Sequence, residues 1–375
     1  MTRRQRHGDG SVFQRKDGRW VFQMVMENGR RKPFYFKTEK EALAARRKLL
    51  YEKDQGVLAT GPEQTLKVYL ERWLEEVIRP TKPPNTYQTY RYNLRRHVIP
   101  ALGYVKLRRL TPDMLQPLYA QMQNEGLKPK SIGVVHAALK SALENALRWG
   151  LVSQNVARLV TLPRIERYEG QVLTQAQVRK LLEVARGSRI EALLLVALTT
   201  GMRRGELLAL RWSDVDFENG MLYVRRTVNR ITGRGYVEGE PKSKASRRKL
   251  FLADVTVEAL KKHWQYQEQL RIRVAEKWSD QGIVFSNTCG GFSEPCTVAK
   301  KLKKLLVDAG LPHMRFHDLR HSAATILLEA RVDLKTVQER LGHSSMAITA
   351  DIYSHVTSRM HEEAIGKIDD MFKHS

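Results

Sequence analysis

The chain reads as mainly α with small β elements, an α+β fold, on three observations. Apolar side chains between residues 64 and 165 recur at helical spacing, as in Leu66, Tyr69, Leu70, Trp73, Leu74 and Val77. Near the N-terminus, two apolar runs, 20–26 and 34–36, flank Asn28-Gly29, a strong hairpin turn signal. Residues 221–226 and 249–252 alternate like strands inside an otherwise helical C-terminal half.

Taken in order, the first segment is a hairpin followed by one helix. Thr38 and Glu41 form a capping box that opens this helix, which runs to about Lys53. Residues 1–60 hold fifteen Lys and Arg against seven Asp and Glu, a net of +8. Aromatic residues interleaved with these charges fit a strand face laid in a DNA groove. In the second segment the stretch 80–85 should break the first helix. The next helix carries Tyr87, Tyr90, Leu94 and Val98 and ends by Pro100. Thr111-Pro112 reads as an N-cap with proline at the first helical position. A long helix from about Ser131 closes at Trp149-Gly150, with glycine as its C-terminal cap. Arg91, Arg95, Arg96, Lys128, Lys130 and Lys140 are candidate phosphate contacts, and the aromatic stripe reads as core. Residues 163–170 read as a linker, and Thr174 with Gln177 as the next capping box. Residues 283–285 suggest one more short strand. The expected domains are therefore 1–57, 64–165 and 172–375.

Composition points to a polyanionic partner. Lys and Arg number 65 against 40 Asp and Glu, for a formal net charge of +25 and a pI near 10.1. An excess of this size speaks about partners, above all nucleic acid, and not about fold. Two cysteines, Cys289 and Cys296, make neither a zinc pattern nor a disulfide framework and read as free thiols in a reducing cytosol. The basic N-terminus has no apolar stretch behind it, so it is not a signal peptide. The apolar run within 191–198 is far too short to span a bilayer. No phosphate-binding glycine loop and no acidic trio for two metal ions is visible, so neither cofactor nor metal is expected.

The chemistry concentrates late in the chain. Thr200-Gly201-Met202-Arg203-Arg204-Gly205-Glu206-Leu207 supplies a guanidinium, and Pro241-Lys242-Ser243-Lys244 a lysine on an expected hairpin. His317-Asp318-Leu319-Arg320, then Leu341-Gly342-His343, then Tyr353 follow. Two arginines, a lysine, two histidines and a tyrosine suit metal-free cleavage of a phosphodiester. A phenolate can attack phosphorus, and cations can hold the charge that builds on the phosphoryl oxygens.

Residues 172–375 resemble the catalytic domain of the tyrosine recombinase (phage integrase) family. Thr200-Gly201-Met202-Arg203 with Glu206-Leu207 looks like its first arginine box, and His317-x-x-Arg320 like its second. Leu341-Gly342-His343, with Tyr353 ten residues beyond His343, looks like its C-terminal box. Segment 64–165 is similar to the family's helical core-binding domain, and 1–56 to the arm-binding domain of integrases from phages and conjugative elements. The resemblance implies that Arg203 and Arg320 clamp the scissile phosphate, with Arg204 able to exchange roles with Arg203. It implies Tyr353 as nucleophile, His317 as proton acceptor and phosphate ligand, and His343 as a hydrogen-bond donor to a phosphoryl oxygen. Lys242 would be the general acid, with Lys244 as the alternative occupant. Asp318 reads as a helix N-terminal charge.

The implied function is site-specific DNA recombination through a 3′-phosphotyrosyl intermediate, integrating or excising a phage or mobile element. A type IB topoisomerase-like enzyme and a non-catalytic DNA-binding regulator are the competing readings. Implied partners are double-stranded attachment sites, a homotetramer on DNA and an accessory bending or excision protein, in the cytoplasm and nucleoid of a bacterial host. The apolar stripe Ala364, Ile365, Ile368, Met371 and Phe372 offers a docking face, on its own protomer or on a neighbour.

Overall fold

The computed structural model describes residues 10–25, 31–54, 63–165, 171–241 and 246–342. The chain divides into two compact units, 1–167 and 168–375.

The first unit opens with three antiparallel strands, β1 (Ser11–Gln14), β2 (Trp20–Val25) and β3 (Arg31–Phe36), in the order β1-β2-β3. β1 goes beyond the sequence expectation, because its four residues are too few to show an alternation. The register pairs Val12 with Phe22 and Phe22 with Phe34 on one face, and Phe13 with Val21 and Val21 with Tyr35 on the other. Helix α1 (Glu39–Asp54) packs on the sheet. Its capping box forms as expected: the Glu41 amide donates to Thr38 Oγ1, and the Thr38 amide donates back to the Glu41 carboxylate.

The helical part of this unit starts at α2 (Leu66–Trp73), whose cap Thr65 accepts from the Val68 amide. Leu66, Tyr69, Leu70, Trp73 and Leu74 are fully buried, so the stripe is core. The helix passes Pro80 but breaks at Lys82 and Pro83, inside the expected 80–85 stretch. It widens into a π turn over Leu74–Ile78 and continues as α3 (Arg79–Thr81). Helix α4 (Pro84–Asn93) does the same, passing through a π turn at Leu94–Val98 into α5 (Ile99–Leu102), which contains Pro100. A proline lacks the amide hydrogen that a regular turn would need there, and the wider turn before it shifts the hydrogen-bond ladder out of register. That is why both helices outrun their prolines.

Helix α6 (Pro112–Asn124) begins behind Thr111, whose side chain makes no capping bond. Helix α7 (Pro129–Arg148) closes on Gly150 at φ +63. The Leu151 amide bonds the Ala146 carbonyl and the Gly150 amide bonds the Leu147 carbonyl, so the last carbonyls find donors. Trp73 binds α2 to α7, donating Nε1–H to Asn145 Oδ1 at 3.2 Å and stacking on Tyr90 at 6.0 Å. The Tyr69 hydroxyl donates to the Ala142 carbonyl at 2.5 Å. Of the candidate phosphate contacts, Arg95 is already engaged by Glu71 through two hydrogen bonds. Arg96, Lys128, Lys130 and Lys140 are exposed.

The second unit opens with α8 (Gln175–Ala185), whose Thr174–Gln177 capping box is complete. Helix α9 (Glu191–Thr200) is apolar nearly all round and therefore central, packing against α8, α11 and α13. It ends on Gly201 at φ +64, where an added Cβ would lie 2.2 Å from Leu341 Cδ2. Only glycine satisfies both the backbone and this approach. Short α10 (Arg204–Leu208) follows.

Then come β4 (Val215–Asp216) and β5 (Met221–Val224), which form a sheet with β8 (Arg248–Phe251) in the order β4-β5-β8. Strands β6 (Thr227–Ile231) and β7 (Gly235–Gly239) make a separate hairpin. The expected strand at 283–285 is not one. Ile283, Val284 and Phe285 are buried, but only Ile283 makes a bridge, to Arg211, because the chain turns at once. Helices α11 (Asp254–Val274), α12 (Pro295–Asp308), α13 (Asp318–Glu329) and α14 (Leu334–Leu341) complete the unit. Cys289 and Cys296 are free and exposed. None of the described helices is long and apolar enough to cross a membrane.

Trp73→Ala should cost about 3–5 kcal/mol, the scale for emptying a buried aromatic site. Urea unfolding followed by circular dichroism measures it. A loss under ~1 kcal/mol would show that Trp73 is not the link between α2 and α7.

Candidate active site

Two helix ends meet around one carboxylate. Glu206 sits on α10 with its side chain 2 % exposed. Its Oε1 accepts from Arg203 Nη1 at 2.8 Å, and its Oε2 from the Arg203 amide and from Arg248 Nη2, both at 3.0 Å. Burial alone would raise the Glu206 pKa. Arg248 first, and then Arg203, more than offset this and hold it below the usual range. Glu206 is therefore an anion at neutral pH.

Arg320, three residues into α13, lies on the same cluster and is 4 % exposed. Its Nη1 donates to the Gly201 carbonyl at 2.7 Å, at the C-terminal end of α9. Among the described residues its Nη2 is buried with no partner. Burial, then repulsion from Arg203 and Arg248, pulls its pKa down to about 9, so it stays charged near neutrality. Arg340 joins the same end of α9, donating Nη2 to the Thr199 carbonyl at 3.2 Å and to the Phe251 carbonyl at 2.9 Å. Helix C-termini present unpaired carbonyls and partial negative charge. The end of α9 thus helps to gather cations that would otherwise repel one another.

Arg203 is the most open of the set, with its side chain 38 % exposed. Besides Glu206, its Nη1 reaches Ser246 Oγ at 3.2 Å and its Nη2 the Gly342 carbonyl at 3.0 Å.

His317 stands just before α13. One side of the residue faces solvent, but the protein crowds the ring. That crowding, with the charges of His321 and Arg320, pushes its pKa down to about 4. The His321 ring lies edge-on to it at 5.4 Å. Asp318 is fully buried and fixes the turn ahead of the helix, accepting from the Arg315 amide at 2.8 Å and from the Arg315 guanidinium. It is the helix N-terminal charge that the sequence suggested. Arg204, Lys300, Lys303, Arg315 and His317 line one groove of about 530 Å³.

The structure therefore brings Arg203 and Arg320 together, and sets His317, at the start of the helix that carries Arg320, in a groove it shares with Arg204. Lys242, Lys244, His343 and Tyr353 lie outside the described residues, as does the apolar stripe at 364–372. Reasoning on the sequence missed Arg248 and Arg340. Arg248 carried a signal: the alternation that turns Leu250 inward also turns Arg248 inward, across from Val224.

Residues 171–360 match the model of the phage integrase family, and residues 65–123 match that of the phage integrase N-terminal SAM-like domain. The chain belongs to the phage integrase family. A relative from Caldanaerobacter subterraneus subsp. tengcongensis, named tyrosine recombinase XerC-like, is 32% identical over 366 residues, which cover 92% of this chain and 94% of the relative. An integrase of Streptomyces ambofaciens is 29% identical, covering 100% of this chain and 99% of its own length. Among solved structures, the Tn1549 transposon integrase in complex with transposon right end DNA aligns with a TM-score of 0.68 at 21% identity. It covers 80% of this chain and 99% of its own. A lambda integrase tetramer bound to a Holliday junction aligns at 0.59 and 18% identity, covering 93% of this chain and 96% of its own. These structural likenesses are likenesses of fold. The activity of this phage integrase is site-specific recombination of the tyrosine type.

The depressed pKa of His317 has a consequence for stability. The fold favours the neutral ring, so the contribution is fully present above the ordinary value of 6.5 and is lost as the pH falls toward 4. His321 and the half-buried His263 are lowered as well, in both cases chiefly by desolvation. His317→Gln should therefore flatten part of the stability loss between pH 6.5 and 4.5. Urea midpoints across that range decide it, and an unchanged slope would mean that the ring is not held neutral.

Proposed function

We propose that this phage integrase cleaves and rejoins double-stranded DNA through a 3′-phosphotyrosyl intermediate. The observation that carries the reading is the buried Nη2 of Arg320 beside Arg203, without a partner among the described residues, in a cluster where Arg203, Arg248 and Arg320 gather around the carboxylate of Glu206. A buried donor of a charged group is costly to leave unsatisfied. A phosphodiester oxygen is the acceptor that repays it, and Arg203 supplies the second arm of the clamp.

In the forward step the Tyr353 oxygen bonds phosphorus and the bond to the 5′ oxygen breaks. Lys242 protonates the departing oxygen, with Lys244 as the other occupant of that role. His317, neutral at physiological pH, takes the phenol proton, and His343 donates to a phosphoryl oxygen. A 5′ hydroxyl of the exchanged strand then attacks the phosphotyrosine and restores the phenol. Bond energy is conserved throughout.

Residues 64–165 would grip the core site and 1–57 an arm site. In support of the latter, the sheet face shared by Phe13, Val21 and Tyr35 exposes Phe13 and Tyr35, with Arg15 and Arg19 over the Tyr35 ring at 5.8 and 5.3 Å. We propose a homotetramer on paired attachment sites, the state in which lambda integrase was solved on a Holliday junction. The stripe at 364–372 would dock between protomers, and an accessory bending or excision protein would assist. The setting would be the nucleoid of a bacterial cytoplasm.

Tyr353→Phe should bind the core site as the wild type does yet form no SDS-stable protein–DNA adduct. A denaturing gel reads this directly, and an adduct in the variant would refute the nucleophile. Removing residues 1–57 should abolish protection of one class of DNA site while sparing the core site. Footprints identical to those of the full chain would deny that segment a DNA site of its own.

A further inference from the structure

Outside the phosphate clamp lie a cavity of about 290 Å³ beside His263 and Gln267, the exposed Cys296 and the buried Tyr119–His136 pair. More independent contacts converge on Arg248. Its side chain is 6 % exposed, and all three of its nitrogens donate, two to distant segments and one to its own stretch of chain. Nη2 reaches Glu206 Oε2 at 3.0 Å, in the first arginine box. Nη1 reaches the Ser246 carbonyl at 3.0 Å, directly after the stretch that carries Lys242 and Lys244. Nε reaches the Arg340 carbonyl at 2.6 Å, in the last turn of α14 and three residues before His343. Ser246 is held from a second side by Arg203 through its hydroxyl.

We propose that Arg248 is a positioning residue of the recombination reaction, fixing the three segments that bear Arg203, the lysines and His343 relative to one another. It touches no reacting atom. The argument is geometric. A planar guanidinium carries rigid donors in three directions, and here two of them meet distant segments, at Glu206 and Arg340, while the third fixes the chain at Ser246, two residues before Arg248 and next to the stretch that carries the lysines. An ammonium offers its protons from a single point and cannot span the same three acceptors. Arg248→Lys therefore keeps the charge that Glu206 needs while losing the span. Small misplacements of catalytic groups cost about 10²-fold in rate.

The proposal rests on the proposed cleavage reaction, and the test separates the two. Single-turnover cleavage of a core site at saturating protein yields a rate constant and an amplitude. If Arg248 positions the site, Arg248→Lys should bind the core site within ~3-fold of wild type and keep its amplitude, with a rate constant ~10²-fold lower. If it serves stability alone, fewer molecules will be active. The amplitude will then fall while the rate constant stays at the wild-type value, and that outcome overturns the proposal. Should Arg248→Lys fail to fold, Arg248→Gln, which keeps a neutral donor toward Glu206, is read by the same split. Tyr353→Phe runs alongside. An adduct from that variant condemns the assigned nucleophile, whereas an inert Tyr353→Phe beside a wild-type rate constant in Arg248→Lys removes the role of Arg248 alone.

Discussion

The buried carboxylate of Glu206 is the constraint on which the catalytic unit depends. Guanidinium groups repel one another, and burial strengthens that repulsion by removing water. Glu206 meets Arg203 and Arg248 directly, and the carbonyls at the end of α9 meet Arg320 and Arg340. Removing one partner from a buried ion pair costs on the order of 3–5 kcal/mol, because the other charge is left uncompensated. The same carboxylate also takes the Arg203 amide, so it sets the backbone at the start of α10 as well as the side chain above it. Gly201 belongs to this arrangement. Its left-handed turn and missing Cβ allow α14 to close over the end of α9, which brings the Arg340 and Gly342 carbonyls within reach of Arg248 and Arg203.

Much of this was legible in the sequence, for identifiable reasons. The stripe from Leu66 to Leu74, the capping boxes at Thr38 and Thr174 and the glycine cap at Gly150 are local signals, and each formed as local physics dictates. The boxes around Arg203, His317 and Arg320 stand out in the sequence because their spacing is distinctive, and the fold sets Arg320 beside Arg203. What the sequence hid is non-local. Helices pass Pro80 and Pro100 because a π turn absorbs the lost hydrogen bond, and nothing in the residues themselves announces that turn. The segment at 283–285 has the composition of a strand, but its partners are a single bridge and a buried turn. Arg248 looks like one more basic residue in Ser246-Arg247-Arg248-Lys249; the alternation with Leu250 hints that it turns inward, and the pairing of Arg248 with Val224 on β5 establishes it.

The two units use positive charge differently. In the first, exposed cations lie over aromatic rings on an open sheet face, as Arg15 and Arg19 do at Tyr35, or pair across helices, as Arg95 does with Glu71. Exposed pairs of this kind add ~1 kcal/mol or less to stability. In the second unit, Arg248 and Arg320 are nearly inaccessible, and their cost is accepted in exchange for fixed geometry.

Desolvation first, and the neighbouring positive charge second, set the state of His317. Crowding by the protein, with His321 and Arg320 nearby, holds the ring neutral at physiological pH. A protonated imidazole would add one more repelling cation and could accept no proton from a phenol. A neutral one can accept that proton. In the proposed reaction an incoming phosphodiester would bring negative charge to this cluster, and its oxygens would offer acceptors to Nη2 of Arg320 and to the exposed arm of Arg203. As charge built on those oxygens in the transition state, donors already in place would not need to reorganise. On that reading, the imbalance that costs stability in the free protein would favour the transition state over the bound substrate.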